Sequence, residues 1–278
     1  GVYLVREITI VRILIMKNFK KLLTLFCLVT IVFTMLTGCD KKVEMVRANS
    51  AEEVLNLFNT YNSENNVEEM VKLYSNAYIN YIGYDANQII KNIKANRKDV
   101  TINSSTTKSI EDINDNLKKA IVNISAVING EETNEDYEYA LIKEENGWSI
   151  SPDGIIDCVE FDVPANEDKQ LNLRLIKEGV MFNGALIRVN LYNNTNNTYT
   201  FGTEDDKTEI IVETSEGTFT SEVVEPQKID KKVKSYFIAN IQDLKGDIKK
   251  VTVTSIYDLD SDGNPLKDSK REIVVYNK

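Results

Sequence analysis

Apolar residues recur with two different periods along this chain, and the change falls near residue 98. Before that point the apolar positions lie three or four residues apart, which predicts amphipathic helices. Residues 50–53 (Ser-Ala-Glu-Glu) have the form of a capping box and would start a first helix over residues 54–61. A second helix is predicted over residues 67–74, and a third starts at the N-cap residue Asp85 and runs to Ile93.

After this change the apolar and polar residues alternate with a period of two, which predicts β-strands. Residues 120–129 place an apolar residue at every even-numbered position, and residues 137–141 form a further strand before the hairpin signal Asn146-Gly147. Three helices followed by antiparallel strands predict an α+β domain over residues 50–154.

The turn-rich residues 151–154 (Ser-Pro-Asp-Gly) mark a domain boundary. The segments after them predict strands, separated by turn residues at the spacing of a β-sandwich. The predicted strands cover residues 159–163, 171–176, 185–191, 209–213, 218–223, 235–241, 250–257 and 272–276. Residues 155–278 are therefore expected to form an all-β sandwich domain.

The first domain resembles the NTF2-like superfamily, whose members fold as an α+β cone. The resemblance is carried by a first helix, a loop with Asn65-Asn66, a second helix ending near residues 73–75, and a last strand over residues 145–150 (Glu-Asn-Gly-Trp-Ser-Ile). Residues 155–278 resemble the immunoglobulin-like sandwich domains of Gram-positive lipoproteins, by pattern more than by motif. The resemblance implies an NTF2-like cone followed by an all-β immunoglobulin-like sandwich, with a homodimer through the NTF2-like sheet. NTF2-like folds host enzymes, binding modules and scaffolds, so the fold alone assigns no function.

Residues 16–39 have the organisation of a bacterial export signal, with a basic start, an apolar run and small residues before a cysteine. Leu36-Thr37-Gly38-Cys39 resembles the lipobox that the lipoprotein signal peptidase recognises. The resemblance implies recognition through Leu36, Thr37 and Gly38, cleavage after Gly38, and a diacylglycerol on the Cys39 thiol. A transmembrane anchor or a signal cleaved elsewhere is the alternative, but the apolar run 22–37 is shorter than the roughly 20 residues that a spanning helix needs, and Cys39 lies where the lipobox requires it.

This signal sets the division of the N-terminal region. Residues 1–15 are interpreted as the product of an upstream start, because Met16 opens a complete signal by itself; a genuine N-terminal extension is the alternative. Residues 16–38 are the expected signal peptide and residues 39–49 a tether. The protein is therefore expected outside the cytoplasm, anchored to the membrane by the lipid on Cys39.

Composition excludes several classes of function. The net charge is −10, and residues 1–38 hold five basic residues and one acidic residue, so the remainder is more acidic still. Nucleic acid is therefore not an expected partner, because phosphate binding needs clustered Lys and Arg. The chain has no histidine, which removes Ser-His-Asp and Cys-His catalysis. With Cys27 in the signal and Cys39 lipidated, only Cys158 remains, so the mature chain can form no internal disulfide.

Residues 258–264 (Asp-Leu-Asp-Ser-Asp-Gly-Asn) are the sharpest local motif of the chain. Asp258, Asp260 and Asp262 alternate before a glycine, and Asn264 follows, as at the start of a calcium-binding loop. Ser269 stands where such a loop places its bidentate glutamate, and the flanking segments are strands. Two interpretations stay open, a calcium site and a metal-free acidic turn.

Aromatic residues with polar tips are concentrated in the first domain. Rings of this type suit a pocket for an amphipathic ligand inside the cone, and they equally suit a filled core. The candidate pocket residues are Tyr74, Tyr78, Tyr81, Tyr137, Tyr139 and Trp148.

Pairs of adjacent carboxylates, such as Glu144-Glu145 and Asp205-Asp206, are interpreted as exposed charges. Glycoside hydrolysis needs two carboxylates that face each other across a cleft, which adjacent residues do not provide.

The function expected from these observations is that of a non-enzymatic, membrane-anchored surface lipoprotein that binds a protein or a component of the cell envelope. The alternative is capture of a small solute in the cone, modulated by calcium. No cofactor other than calcium is expected, and no catalytic residue is assigned.

Overall fold

Strands dominate the computed structural model of this protein, with 53% of the structure in strands and 19% in helices. It describes residues 2–6 (as backbone), 43–162, 171–223 and 225–278. The helices are α1 Ala51–Ser63, α2 Val67–Lys72, α3 Asn76–Ile82 and α4 Ala86–Asn96. The strands are β1 Val2–Arg6, β2 Val100–Asn114, β3 Leu117–Ile128, β4 Glu131–Glu144, β5 Gly147–Ser151, β6 Ile155–Glu160, β7 Leu171–Met181, β8 Gly184–Asn193, β9 Tyr199–Phe201, β10 Glu209–Thr214, β11 Thr218–Glu222, β12 Gln227–Ile229, β13 Lys234–Gln242, β14 Ile248–Asp258 and β15 Arg271–Asn277.

The chain divides into two compact units with a boundary after Cys158. One unit spans residues 11–158, and the other combines residues 1–10 with residues 159–278. Strand β6 crosses this boundary.

Each helix of the first unit begins at a side chain that accepts a hydrogen bond from a backbone amide of the first turn, which satisfies a donor that has no partner within the helix. The N-cap residues are Ser50, Asn66, Ser75 and Asp85, and Asp85 forms a full capping box with Gln88. Helix α3, which ends at Gly83 in the left-handed conformation, was not expected from the sequence.

The four strands that follow the helices form an antiparallel sheet in the order β2-β3-β4-β5. Helix α1 packs on this sheet, and the rings of Phe58 and Tyr139 lie 5.0 Å apart between their centroids. Asn59, on the same helix, donates to the Thr107 hydroxyl and accepts a hydrogen bond from the buried Ser105 hydroxyl. Apolar burial and two cross-links of polar groups therefore hold α1 to the sheet.

The predicted fold class, an α+β NTF2-like cone before the sandwich, is wrong. The protein is mostly β, with several antiparallel sheets and four short helices in the part that the structure describes, and is closer to an all-β protein than to an α+β cone. Capping and apolar spacing predicted three of the four described helices, but they did not indicate how much of the chain the sheets would occupy. The homodimer was implied only by the resemblance to this cone, so the structure gives no support for it.

The second unit contains two sheets around one hydrophobic core. One sheet has the order β1-β13-β8-β7-β6, and the other has the order β11-β10-β14-β9-β12, with β15 also paired to β14. The core takes side chains from both sheets, and the rings of Phe201 on β9 and Phe237 on β13 meet edge to face across it, 5.6 Å apart. Strands β9 and β12 were not predicted, because three residues are too few to show an alternating pattern.

Candidate functional site

The lipobox residues Leu36, Thr37, Gly38 and Cys39 lie outside the described residues. The lipid attachment therefore stays a prediction from the sequence. Among the helices that the structure describes, none combines the length and the apolar character needed to cross a membrane.

The aromatic residues proposed to line a pocket are packed into the interior of the first unit. Tyr74, Tyr78, Tyr81 and Tyr139 are at most 4% exposed and Trp148 is 8% exposed, whereas Tyr137 is half-buried. Tyr74 and Tyr78 pack edge to face with ring centroids 5.1 Å apart. Buried rings that pack on one another have the arrangement of a filled core, and the ligand pocket stays a prediction from the sequence.

The calcium motif forms a turn whose carboxylates have other partners. Asp258 forms an ion pair with Arg271 at 2.6 Å. Asp260 Oδ1 accepts hydrogen bonds from the backbone amides of Asp262 and Asn264 at 2.9 and 2.8 Å, and the Asn264 amide is the main cause of the lowered pKa of Asp260.

The carboxylates of this turn do not converge on one point. In residues 43–162, 171–223 and 225–278, no group of three or more Asp, Glu or Cys side chains is arranged to hold a metal ion. The backbone amides that donate hydrogen bonds to the Asp260 carboxylate are the donors that an Asx-type turn requires. The structure thus does not bring the three aspartates together, and the calcium site stays a prediction from the sequence.

An open cleft in the second unit is a concave site that the sequence did not predict. It has a volume of about 770 Å³ and lies between the loop after β9 and the ends of β10, β11, β14 and β15. Its acidic lining residues are Glu204, Asp205, Asp206, Glu209, Glu222 and Glu272, and its basic ones are Lys207, Lys270 and Arg271. The cleft therefore carries a net negative charge.

A local irregularity in β14 shapes the floor of this cleft. The pairing between β14 and β15 shifts register between Val253 and Ile256, and Ser255 adopts a left-handed conformation with φ 49°. The Ser255 carbonyl accepts hydrogen bonds from the Gly202 amide and the Thr208 hydroxyl, both at 2.9 Å. These bonds hold the loop between β9 and β10 against the bulge, which fits the role of bulges in redirecting side chains at sites.

Asp206 lies at the centre of a network of hydrogen bonds in the cleft. Its carboxylate accepts from the hydroxyls of Tyr257 and of Ser255, the latter at 3.1 Å, and pairs with the Lys270 ammonium at 2.6 Å. Lys270 first, and then the Tyr257 hydroxyl, lower the pKa of Asp206. Burial first, and then the Asp206 carboxylate, raise the pKa of Tyr257, and Asp206 raises the pKa of Lys270.

The rest of the cleft is more open to solvent. Glu209 and Glu222 lie directly opposite each other on β10 and β11, a pairing of like charges that is unfavourable unless a cation lies near it. Lys207 forms an ion pair with Glu222 at 3.2 Å. The Arg271 guanidinium lies 4.9 Å from the centre of the Tyr199 ring and pairs with Asp258, so it is held at the edge of the site.

Sequence reasoning missed this cleft because its members are distant along the chain. Asp206 was noted only as one of two adjacent acidic residues. Its partners Ser255 and Tyr257 are 49 and 51 positions away, and β14 brings them to it through the pairing of β9 with β14. No local pattern around Asp205-Asp206 distinguishes the held carboxylate from the exposed one beside it.

The comparisons with known proteins assign no family to the chain. A scan of protein-family models and a search of curated protein sequences found no match.

Proposed function

We propose that this protein is a non-enzymatic, extracytoplasmic binding protein, anchored to the membrane through a lipid on Cys39. Its second unit binds a protein or an envelope component that presents positive charge to the acidic cleft. The single observation that carries the proposal is the acidic lining of this cleft, which has six acidic and three basic residues. The pKa shifts of Asp206, Tyr257 and Lys270 agree with it, since they favour the charged and hydrogen-bonded state over proton transfer.

Proton-transfer catalysis is most efficient when the pKa of the catalytic group lies near the working pH. The pKa of Asp206 is lowered, and those of Tyr257 and Lys270 are raised, so all three move away from neutrality. At neutral pH the carboxylate stays charged, the phenol stays protonated and the ammonium stays charged. The network is thus suited to keep these side chains in fixed positions at the surface of the cleft, and it activates neither a base nor a nucleophile.

The charge balance supports the choice of partner. The whole chain has a net charge of −10, and the cleft lining has six acidic and three basic residues. A negative concave surface attracts a cationic patch, accelerates its association and repels acidic competitors. Lys or Arg side chains of a protein, or amino groups of an envelope polymer, have the required chemistry.

Photocrosslinking on intact cells tests this proposal. A photoreactive amino acid replaces Glu204 at the cleft or, as matched control, Glu216, an exposed glutamate in the same unit that does not line the cleft. We expect a discrete adduct from position 204 alone. It should weaken on raising the salt from about 0.05 to about 0.5 M, since exposed charge pairs are screened.

A second variant tests whether the cleft charge causes the crosslink. The double substitution Glu209→Gln and Glu222→Gln keeps the side-chain shape and removes two negative charges, so the adduct from position 204 should fall severalfold. Equal adducts from positions 204 and 216 would contradict the binding role of the cleft. Hydrolytic turnover that disappears on substitution of one cleft carboxylate would contradict the non-enzymatic assignment.

A further inference from the structure

Strand β13, Lys234–Gln242, is the feature of the second unit that the proposed function leaves unused. It pairs with β8 over its whole length without a register shift. On its other side it pairs with β1, Val2–Arg6, in antiparallel register from Val2 opposite Ala239 to Arg6 opposite Ser235. β1 is therefore the edge strand of this sheet, and β13 becomes the edge strand where β1 is absent.

The mature protein is expected to lack β1. Cleavage after Gly38 removes residues 2–6, and translation from Met16 would omit them altogether. This step rests on the lipoprotein signal in the proposed function. Without β1, the backbone N–H and C=O groups of β13 that point away from β8 have no strand partner. An unpaired row of this kind is a template for another strand.

The edge of β13 lacks the features by which proteins protect exposed strands. Residues 235–241 (Ser-Tyr-Phe-Ile-Ala-Asn-Ile) contain no charge and no proline. The two end strands of the other sheet in this unit are protected, since β12 has three residues and β11 ends in the charged Glu222. Charge, shortness and irregularity are the usual means of blocking edge pairing. A long, regular and uncharged edge is therefore open to a partner.

We propose that the β13 edge of the mature protein binds an extended segment of a partner protein, which adds to the sheet as an antiparallel strand in the register that β1 occupies. The segment Val-Tyr-Leu-Val-Arg of β1 shows the required chemistry, a short run of β-branched, aromatic and aliphatic residues. Main-chain hydrogen bonds supply the affinity, and alternate side chains supply the specificity.

A second copy of this chain is the less suitable occupant. Each copy carries a net charge of −10, and the chain without residues 1–38 is more acidic, so pairing of two such units brings like charges together. The strand that the structure places on β13 differs from β13 in sequence and covers five of its nine residues. A short foreign strand fits the edge without a twofold-related partner.

Binding of a labelled peptide to the mature protein, extracted from membranes in detergent, tests whether the β13 edge accepts a strand. The probe is a fluorescent peptide with the sequence of residues 1–7, followed by fluorescence anisotropy. Two further peptides carry N-methyl groups on alternate amides, either on Tyr3 and Val5 or on Leu4 and Arg6. Alternate amides of a strand point to opposite sides, so only one of the two sets faces β13.

We expect the parent peptide and one methylated peptide to bind, and the other methylated peptide to lose roughly tenfold or more in affinity, because its edge hydrogen bonds are blocked. Binding should also slow amide exchange in residues 235–239 and leave β11 unchanged. Equal binding of both methylated peptides, or no binding of the parent, overturns the proposal. A mature dimer that the peptide dissociates would assign the edge to a second copy and overturn it as well.

These outcomes are separable from failure of the proposed function. The N-terminus of the extracted protein reports on cleavage, and the crosslink at position 204 reports on the cleft. Correct cleavage with no peptide binding refutes the edge site alone. An uncleaved chain that keeps β1 refutes the anchoring, and the peptide then has no open edge to bind.

Discussion

Glu144 and Glu145 are neighbours in the sequence, but they lie in different environments. Glu145 is exposed, as expected for the adjacent acidic pairs. Glu144 Oε1 accepts a hydrogen bond from the Asn76 amide at the start of α3, at 2.7 Å, and Oε2 pairs with Arg47 at 2.5 Å. The side chains of Arg47 and Glu144 are only 10% and 15% exposed. One carboxylate thus joins the segment before α1, the start of α3 and the end of β4.

Glu144→Ala should destabilise the first unit by about 3 kcal/mol, because it leaves a largely buried guanidinium and a helix-start amide without their acceptor. The matched change Glu145→Ala should alter stability by less than about 0.5 kcal/mol. Trp148, the single tryptophan, lies on β5 of this unit, so urea unfolding followed by its fluorescence measures both variants. Equal effects of the two substitutions would show that the network around Glu144 does not stabilise the unit.

Asp206 gives a pH-dependent prediction. Its pKa is lowered in the folded protein, so its contribution to stability is present above the unfolded pKa and is lost as pH falls through the folded value. Asp206→Asn should cost at most about 1 kcal/mol at pH 7, since the carboxylate is partly exposed. The difference between native protein and variant should shrink as pH falls below the unfolded pKa and through the lowered folded pKa of Asp206, because the carboxylate loses its charge.

Hydrogen exchange of the β14 amides in urea, measured at pH 7 and pH 3, reports the stability of the second unit, which contains no tryptophan. Asp205→Asn is the control, because Asp205 is the exposed neighbour of Asp206. A cost of Asp206→Asn that stays constant over this pH range would rule out the ion pair with Lys270 as its origin.

At the scale of elements, the hairpin between β7 and β8 depends on one glycine. Gly184 has φ 130°, and a Cβ atom there would lie 2.2 Å from the Ile241 carbonyl oxygen on β13. Gly184→Ala should therefore destabilise the second unit by about 2 kcal/mol or more through backbone strain and forced separation of β8 from β13.

Gly217→Ala is the matched control. It lies in the turn between β10 and β11, and its added Cβ would meet only the Phe219 ring at 3.6 Å, an ordinary contact distance. The same exchange measurement on β14 compares the two variants. A smaller effect of Gly184→Ala than of Gly217→Ala would contradict the close packing of β8 against β13.

The elements that sequence patterns predict well are those whose apolar residues recur with a regular period. Each of the eight strands predicted after residue 154 overlaps a strand of the structure, and the N-caps Ser50 and Asp85 start helices where expected. Strands β9 and β12 were missed because three residues are too few to show alternation. Helix α3 and the 15-residue strand β2 were also missed; β2 has few apolar residues, and they do not alternate regularly along it.

At the scale of the whole molecule, local signals did not determine the fold class or the site. The helix-then-strand order suggested a cone, whereas the structure is mostly sheet. Aromatic residues such as Tyr139 and Trp148 are of the types that line ligand pockets, and the sequence does not show that they are buried. Asp206 gains its role from β14, 49 to 51 residues away, a distance that no local pattern spans.

The central claim is that this is a lipid-anchored protein whose mature chain starts at Cys39. Intact-mass spectrometry of the protein extracted from the membranes of a bacterium with a single membrane tests it most directly. The account predicts a chain that begins at residue 39 and carries the added mass of a diacylglycerol, lost from the membrane fraction on Cys39→Ala. A chain that keeps residues 16–38, or a Cys39 thiol without lipid, would contradict it.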